Sequence, residues 1–158
     1  MASKDKTNAM RKLASMKIDF TEHYYADTGA IAGVDVAAAL GEDPKKVFKT
    51  LVTVGKTGAH YVFMVPVAEE LDLKKAACAV GEKSVEMIKS KELLPLTGYV
   101  HGGCSPIGMK KFFRTVAHVT AKDFPTICFS GGKIGFQIEL PPEKLSEVIK
   151  LEYADIIR

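Results

Sequence analysis

Apolar and polar positions alternate along this chain in a way that divides it into short helices and short strands. Met10, Leu13 and Ala14 recur at helical intervals and predict a helix over residues 7–16. Residues 18–24 alternate as a short strand does, and residues 34–40 read as a helix stopped by Gly41. Asp43-Pro44 supplies a cap and a first-turn proline for one more short turn. Two β-prone runs, 48–54 and 59–67, flank Gly55-Lys56-Thr57-Gly58, which is the pattern of a hairpin. Leu71-Asp72 then opens a helix that Gly81 ends, and residues 84–88 and 91–94 read as two further helical pieces. Strands are predicted over 115–120, 126–130 and 134–140, the last two joined by a glycine turn at Gly131-Gly132-Lys133. Pro141-Pro142 breaks the sheet, and residues 143–151 read as a closing amphipathic helix. Hairpins mixed with irregularly spaced helices predict an α+β fold. It is read as a single domain over residues 1–158, with a mixed or largely antiparallel, barrel-like sheet surrounded by helices.

Composition narrows the class. The chain is 47% hydrophobic and 26% charged and has no apolar run long enough for a membrane span, so no membrane partner is expected. The opening Met1-Ala2-Ser3-Lys4-Asp5-Lys6 is polar and lacks a signal-peptide core, which predicts a cytoplasmic protein. Cys78, Cys104 and Cys128 are odd in number and far apart, and His23, His60, His101 and His118 are equally scattered. Neither set has disulfide-framework or metal-ligand spacing, so no metal and no cofactor are expected. Cys78 and Cys128 sit in apolar stretches and are read as core thiols. The net charge of +3 does not announce a nucleic-acid binder, yet Lys74-Lys75, Lys83, Lys89, Lys91, Lys110-Lys111 and Arg114 gather in mid-chain. Such a set suits phosphates, and equally a solvated helix face.

Chemistry concentrates at Gly102-Gly103-Cys104-Ser105-Pro106-Ile107-Gly108. Glycines let a ligand approach the backbone, while the proline fixes one torsion and extends Ser105 before it. This is the build of an aminoacyl or sugar-phosphate site, and also of an ordinary turn.

Four segments resemble one family. They are Val47-Phe48-Lys49-Thr50-Leu51-Val52; Val65-Pro66-Val67 with Leu71-Asp72-Leu73-Lys74-Lys75; Thr97 through Gly108; and Ser130-Gly131-Gly132-Lys133 with Ile138-Glu139-Leu140. In this order and spacing the chain resembles the YbaK/EbsC family of aminoacyl-tRNA deacylases, relatives of the editing domain inserted in bacterial prolyl-tRNA synthetases. The resemblance implies a trans-editing enzyme that removes cysteine mischarged on tRNA(Pro), an error that arises because amino acids of similar volume are hard to reject by binding alone. It implies that the substrate's own thiol attacks its carbonyl and leaves as a thiolactone. Partners implied are aminoacyl-tRNA, tRNA(Pro) first, and prolyl-tRNA synthetase in a transient complex. A deacylase for alanine or another small amino acid, and a non-catalytic tRNA- or synthetase-binding module, are the rival readings.

Carried onto this sequence, the resemblance makes Lys49 the catalytic cation, holding the tRNA end or stabilising charge on the scissile ester. Gly102 and Pro106 form the Gly-x-x-x-Pro loop around the aminoacyl group, with Gly103 and Ser105 inside it. Tyr25, Thr50 and Ser130 are expected to line the same pocket. Cys104 occupies a variable position of the motif and, with His101 as its sole nearby base, is read as a bystander. Gln137 departs from the pattern, because relatives often carry aspartate there.

Overall fold

The hairpin at the centre of the chain forms as its pattern predicts. In the structure, a computed structural model describing residues 6–158, β2 (Phe48–Gly55) and β3 (His60–Pro66) pair antiparallel with Phe48 opposite Pro66 and Val54 opposite His60. The reading of the polar opening lies, up to residue 5, outside the described residues. Helix α1 (Asn8–Ser15) starts where Thr7 Oγ1 accepts from Met10 N, and it buries Ala9, Met10 and Leu13. Strand β1 (Thr21–Tyr24) follows, and then α2 (Gly33–Leu40), which ends in left-handed Gly41. Helix α3 (Leu73–Val80) is capped by Asp72, whose carboxylate accepts from Lys74 N and Lys75 N, and is closed by Gly81.

Four segments differ from expectation. Residues 84–88 are not helical: Val85–Met87 is β4, an antiparallel edge strand on β2. The buried Val85 and an open edge of β2 outweigh local helix propensity there. The closing helix is also shorter: α5 (Pro142–Val148) gives way to β8 (Leu151–Ala154), which lies parallel to β5 (Arg114–His118). Conversely α4 (Ser90–Thr97) outruns its predicted length, tolerating Pro95 near its end. The strand expected over 115–120 stops at His118 and turns into a 3-10 segment over Val119–Asp123.

Two sheets result. One is mixed, in the order β4-β2-β3-β5-β8. The other is antiparallel and places β7 (Phe136–Leu140) between β1 and β6 (Ile127–Ser130). The expected α+β architecture with a mixed sheet and flanking helices is present. A parallel bridge between Val47 and Cys128 ties the sheets together just before β2 begins. Phe48, Met64, Ile127, Phe129 and Ile138 fill the core between the two sheets, and α1 and α5 close it through Leu13 and Leu145. No helix among the described residues is long and apolar enough to cross a membrane.

Candidate active site

The seam between the sheets holds a cavity of about 520 Å³, within the range of small-molecule sites. Lys49 and Thr50 reach it from the start of β2, Ser130 from the end of β6, Gln137 from β7 and Tyr25 from just past β1. A regular strand would send Lys49 and Thr50 to opposite faces, yet both border the cavity. Lys49 is half-buried, and its ammonium has no ion pair among the described residues. The start of α2, Ala32 to Val34, also opens onto the cavity and adds the positive end of a helix dipole.

The glycine loop divides in two. Gly102 lines the cavity with φ +86°. A Cβ there would meet Ile31 Cγ2 at 3.2 Å and Ile134 Cγ1 at 3.5 Å. Gly103, Ser105 and Pro106 do not line the cavity. Gly103 packs its backbone on the β6–β7 turn, where a Cβ would lie 3.0 Å from Ile134 N. Ser105 is fully buried, and its Oγ accepts from Ile107 N, so it shapes the turn. Pro106 borders a separate groove beside Lys110 and Phe113. These three residues pack within the loop and on its neighbours, while Gly102 borders the cavity.

Tyr25, Thr50, Gly102, Ser130 and Lys49 are thus brought together, and Cys104 and His101 join them. The Cys104 thiol is pushed up to about 12 by burial, against a hydrogen bond with Thr97. It is protonated at neutral pH and a poor nucleophile. Ser130 Oγ is engaged by Gly132 N at 3.2 Å. No activated side-chain nucleophile borders the cavity among the described residues. Cys78 is exposed, a correction to its reading as a core thiol, whereas Cys104 and Cys128 are buried. Native protein treated with an alkylating agent at neutral pH is therefore expected to label fast at Cys78 alone. Labelling of all three at one rate would contradict this burial pattern.

Behind the cavity, residues far apart in sequence converge in a way that spacing did not reveal. His23, Glu42, Cys128 and Glu139 each offer one ligand atom, all within 4.8 Å of one another. The β1–β7–β6 registers bring His23, Cys128 and Glu139 there, with His23 opposite Gln137 and Cys128 opposite Glu139, and Glu42 joins them from just past the end of α2. The donor set would suit a transition metal, but its carboxylates are already engaged. Lys46 Nζ donates to Glu139 Oε2 at 2.8 Å, Thr126 donates to the same oxygen, and His23 Nε2 lies 2.7 Å from Glu139 Oε1. Gln137 Nε2 donates to Glu42 Oε1 at 3.0 Å. Burial opposes the charged form of Glu139, yet hydrogen bonds from Lys46, Thr126 and His23 hold its carboxyl at about 2. Because that value lies below the ordinary 4.5, the stabilisation is fully present above pH 4.5 and is lost as pH falls toward about 2. Thermal melts across this window should show a steeper acid loss in the wild type than in Glu139→Gln. Parallel curves would remove Glu139 from the account.

Comparison with known proteins bears on this geometry. A family model described as the aminoacyl-tRNA editing domain matches residues 30–148. EbsC of Enterococcus faecalis, named as a candidate Cys-tRNA(Pro)/Cys-tRNA(Cys) deacylase, is 43% identical over 155 residues, 98% of this chain and 94% of that protein. A proline–tRNA ligase of Pelobacter propionicus is 29% identical over 106 residues, 67% of this chain but 18% of the ligase. The crystal structure of a protein described as a candidate trans-editing enzyme for prolyl tRNA synthetase superposes with a TM-score of 0.84 at 23% identity. That superposition covers 98% of this chain and 99% of the other, and it establishes a shared fold. On the family match and the near full-length relative, this chain belongs to the aminoacyl-tRNA editing domain family.

Proposed function

We propose that the chain is a trans-editing deacylase that releases cysteine from mischarged tRNA(Pro). One observation carries the reading: in a member of the editing family, a lysine with no ion pair among the described residues faces a cavity that offers no activated protein nucleophile. A site built this way positions and stabilises a substrate that brings its own nucleophile. The substrate thiol attacks its ester carbonyl, a C–S bond forms and the C–O bond to the ribose breaks. The thiol proton ends on the departing ribose oxygen, and the cysteine thiolactone is left for water to open. Lys49 supplies positive charge to the terminal phosphate or to the developing oxyanion, and Gly102 with Tyr25 bounds the aminoacyl space. Thr50 and Ser130 complete the wall.

In this reading the active unit is a single domain over residues 1–158, working in the cytoplasm where tRNA is charged. The modest charge of +3 supports weak affinity for tRNA alone and a transient complex with prolyl-tRNA synthetase. The test is release of labelled cysteine and alanine from Cys-tRNA(Pro), Cys-tRNA(Cys) and Ala-tRNA(Pro), with and without the synthetase. Release of cysteine in preference to alanine is expected, faster when the synthetase is present. Binding of tRNA without release of either amino acid would replace this reading with that of a docking module.

A further inference from the structure

Two side-chain polar atoms are buried without a hydrogen-bond partner among the described residues: Thr50 Oγ1 and Gln137 Oε1. Both belong to residues that line the same cavity. A buried acceptor with no donor costs about 1–3 kcal/mol, so two at one cavity wall mark a place where a ligand's donor belongs. Gln137 is also held in one orientation. Its amide nitrogen donates to Glu42 Oε1 at 3.0 Å, and a carboxylate oxygen pairs with the amide N–H rather than with the amide oxygen. Glu42 therefore fixes the amide with its NH2 turned toward the carboxylate and leaves the oxygen as the free end. Glu42 itself does not line the cavity. It sits one layer behind, beside His23 Nε2 and Cys128 Sγ, each 3.7 Å from its Oε2.

We infer that Glu42 is a positioning residue that orients the Gln137 amide oxygen, together with the Thr50 hydroxyl, to receive the α-ammonium group of the aminoacyl substrate. The inference rests on the deacylase reading and adds to it the group by which the substrate is recognised. An ammonium offers several donors and a full charge, so it satisfies two acceptors at once. The Glu42 carboxylate, hydrogen-bonded behind the amide, strengthens that acceptor by polarising it. A neutral aminoacyl analogue would leave both oxygens unpaired, the kind of mismatch that hydrogen-bonding sites reject strongly.

The test compares Cys-tRNA(Pro) with the same tRNA acylated by 3-mercaptopropionate, which keeps the thiol and the ester but lacks the amino group. Wild-type protein is expected to favour the cysteinyl substrate by at least about tenfold in kcat/KM. Glu42→Gln frees the amide to turn over, and the preference should fall severalfold. The swapped pair E42Q/Q137E should restore it, because a carboxylate at 137 offers acceptors on both sides. Should Glu42→Gln fail to fold, Thr50→Val removes one acceptor at constant shape and is expected to lower the same ratio. A merely structural Glu42 would slow both substrates equally and leave the ratio untouched, which overturns the inference. Brisk release of both acyl groups at one rate by the wild type overturns it too, while leaving the deacylase reading intact. Wild-type protein that cleaves neither substrate overturns both.

Discussion

Replacing Lys49 by alanine is expected to lower the rate of cysteine release from Cys-tRNA(Pro) by about 10²–10³-fold, the usual consequence of removing one charged or hydrogen-bonding stabiliser of a developing oxyanion. The reason lies in what surrounds the lysine. It is half-buried at the cavity wall, and no carboxylate among the described residues neutralises it, unlike Lys46 a few residues before, whose ammonium is held by Glu139. A cation left unpaired in a cleft has its field directed at whatever occupies the cleft. The kinetics separate its two roles. A fall in kcat at constant KM assigns the charge to the reacting ester, and a rise in KM assigns it to the terminal phosphate. Lys49→Arg should retain more activity than Lys49→Ala in either case. Equal turnover by wild type and Lys49→Ala would remove the residue from the mechanism.

Gly102→Ala is the second large effect. Its φ of +86° is a conformation that costs an L-residue about 1–2 kcal/mol, and the new methyl would press on Ile31, which lines the cavity, and on Ile134. A displacement near 1 Å at a positioning element can cost about 10²-fold in rate, so kcat/KM should fall by about that factor. Stability alone should change modestly, by about 2–8 °C in Tm for a chain of this size. Gly58 supplies the control. It has φ +92°, an added Cβ would meet nothing within 4 Å, and it lies in the hairpin turn, away from the cavity. Gly58→Ala should cost comparable stability and leave deacylation unchanged. If both variants lose activity in proportion to their Tm, Gly102 acts through folding alone.

The parts of this fold legible in the sequence are those with local causes. Asp72 and Gly81 bracket α3 because a cap and a left-handed terminator act within a few residues. The β2–β3 hairpin is legible because its turn and its flanking runs are contiguous. Strands β4 and β8 were hidden because their partners, β2 and β5, come from other parts of the chain. The site divides the same way. Lys49 and Gly102 carry motif positions and face the cavity, but a motif cannot say which side of a loop points inward. Gly103, Ser105 and Pro106 point elsewhere for that reason. The network of His23, Glu42, Cys128 and Glu139 had no signal in spacing, since the register of β1, β6 and β7 and the chain just past α2 assemble it. Gln137 stood out as a departure, and its tether to Glu42 became visible only in three dimensions.

A nucleophile that belongs to the substrate separates two acyl groups on one tRNA. One tRNA(Pro) is charged with cysteine and, separately, with serine, and release of each amino acid by the same protein is followed. Serine keeps the size and the ester but lacks the sulfur. Cysteine is expected to leave rapidly and serine no faster than from tRNA alone; serine release at a rate comparable to that of cysteine would mean that the protein, not the substrate, supplies the nucleophile.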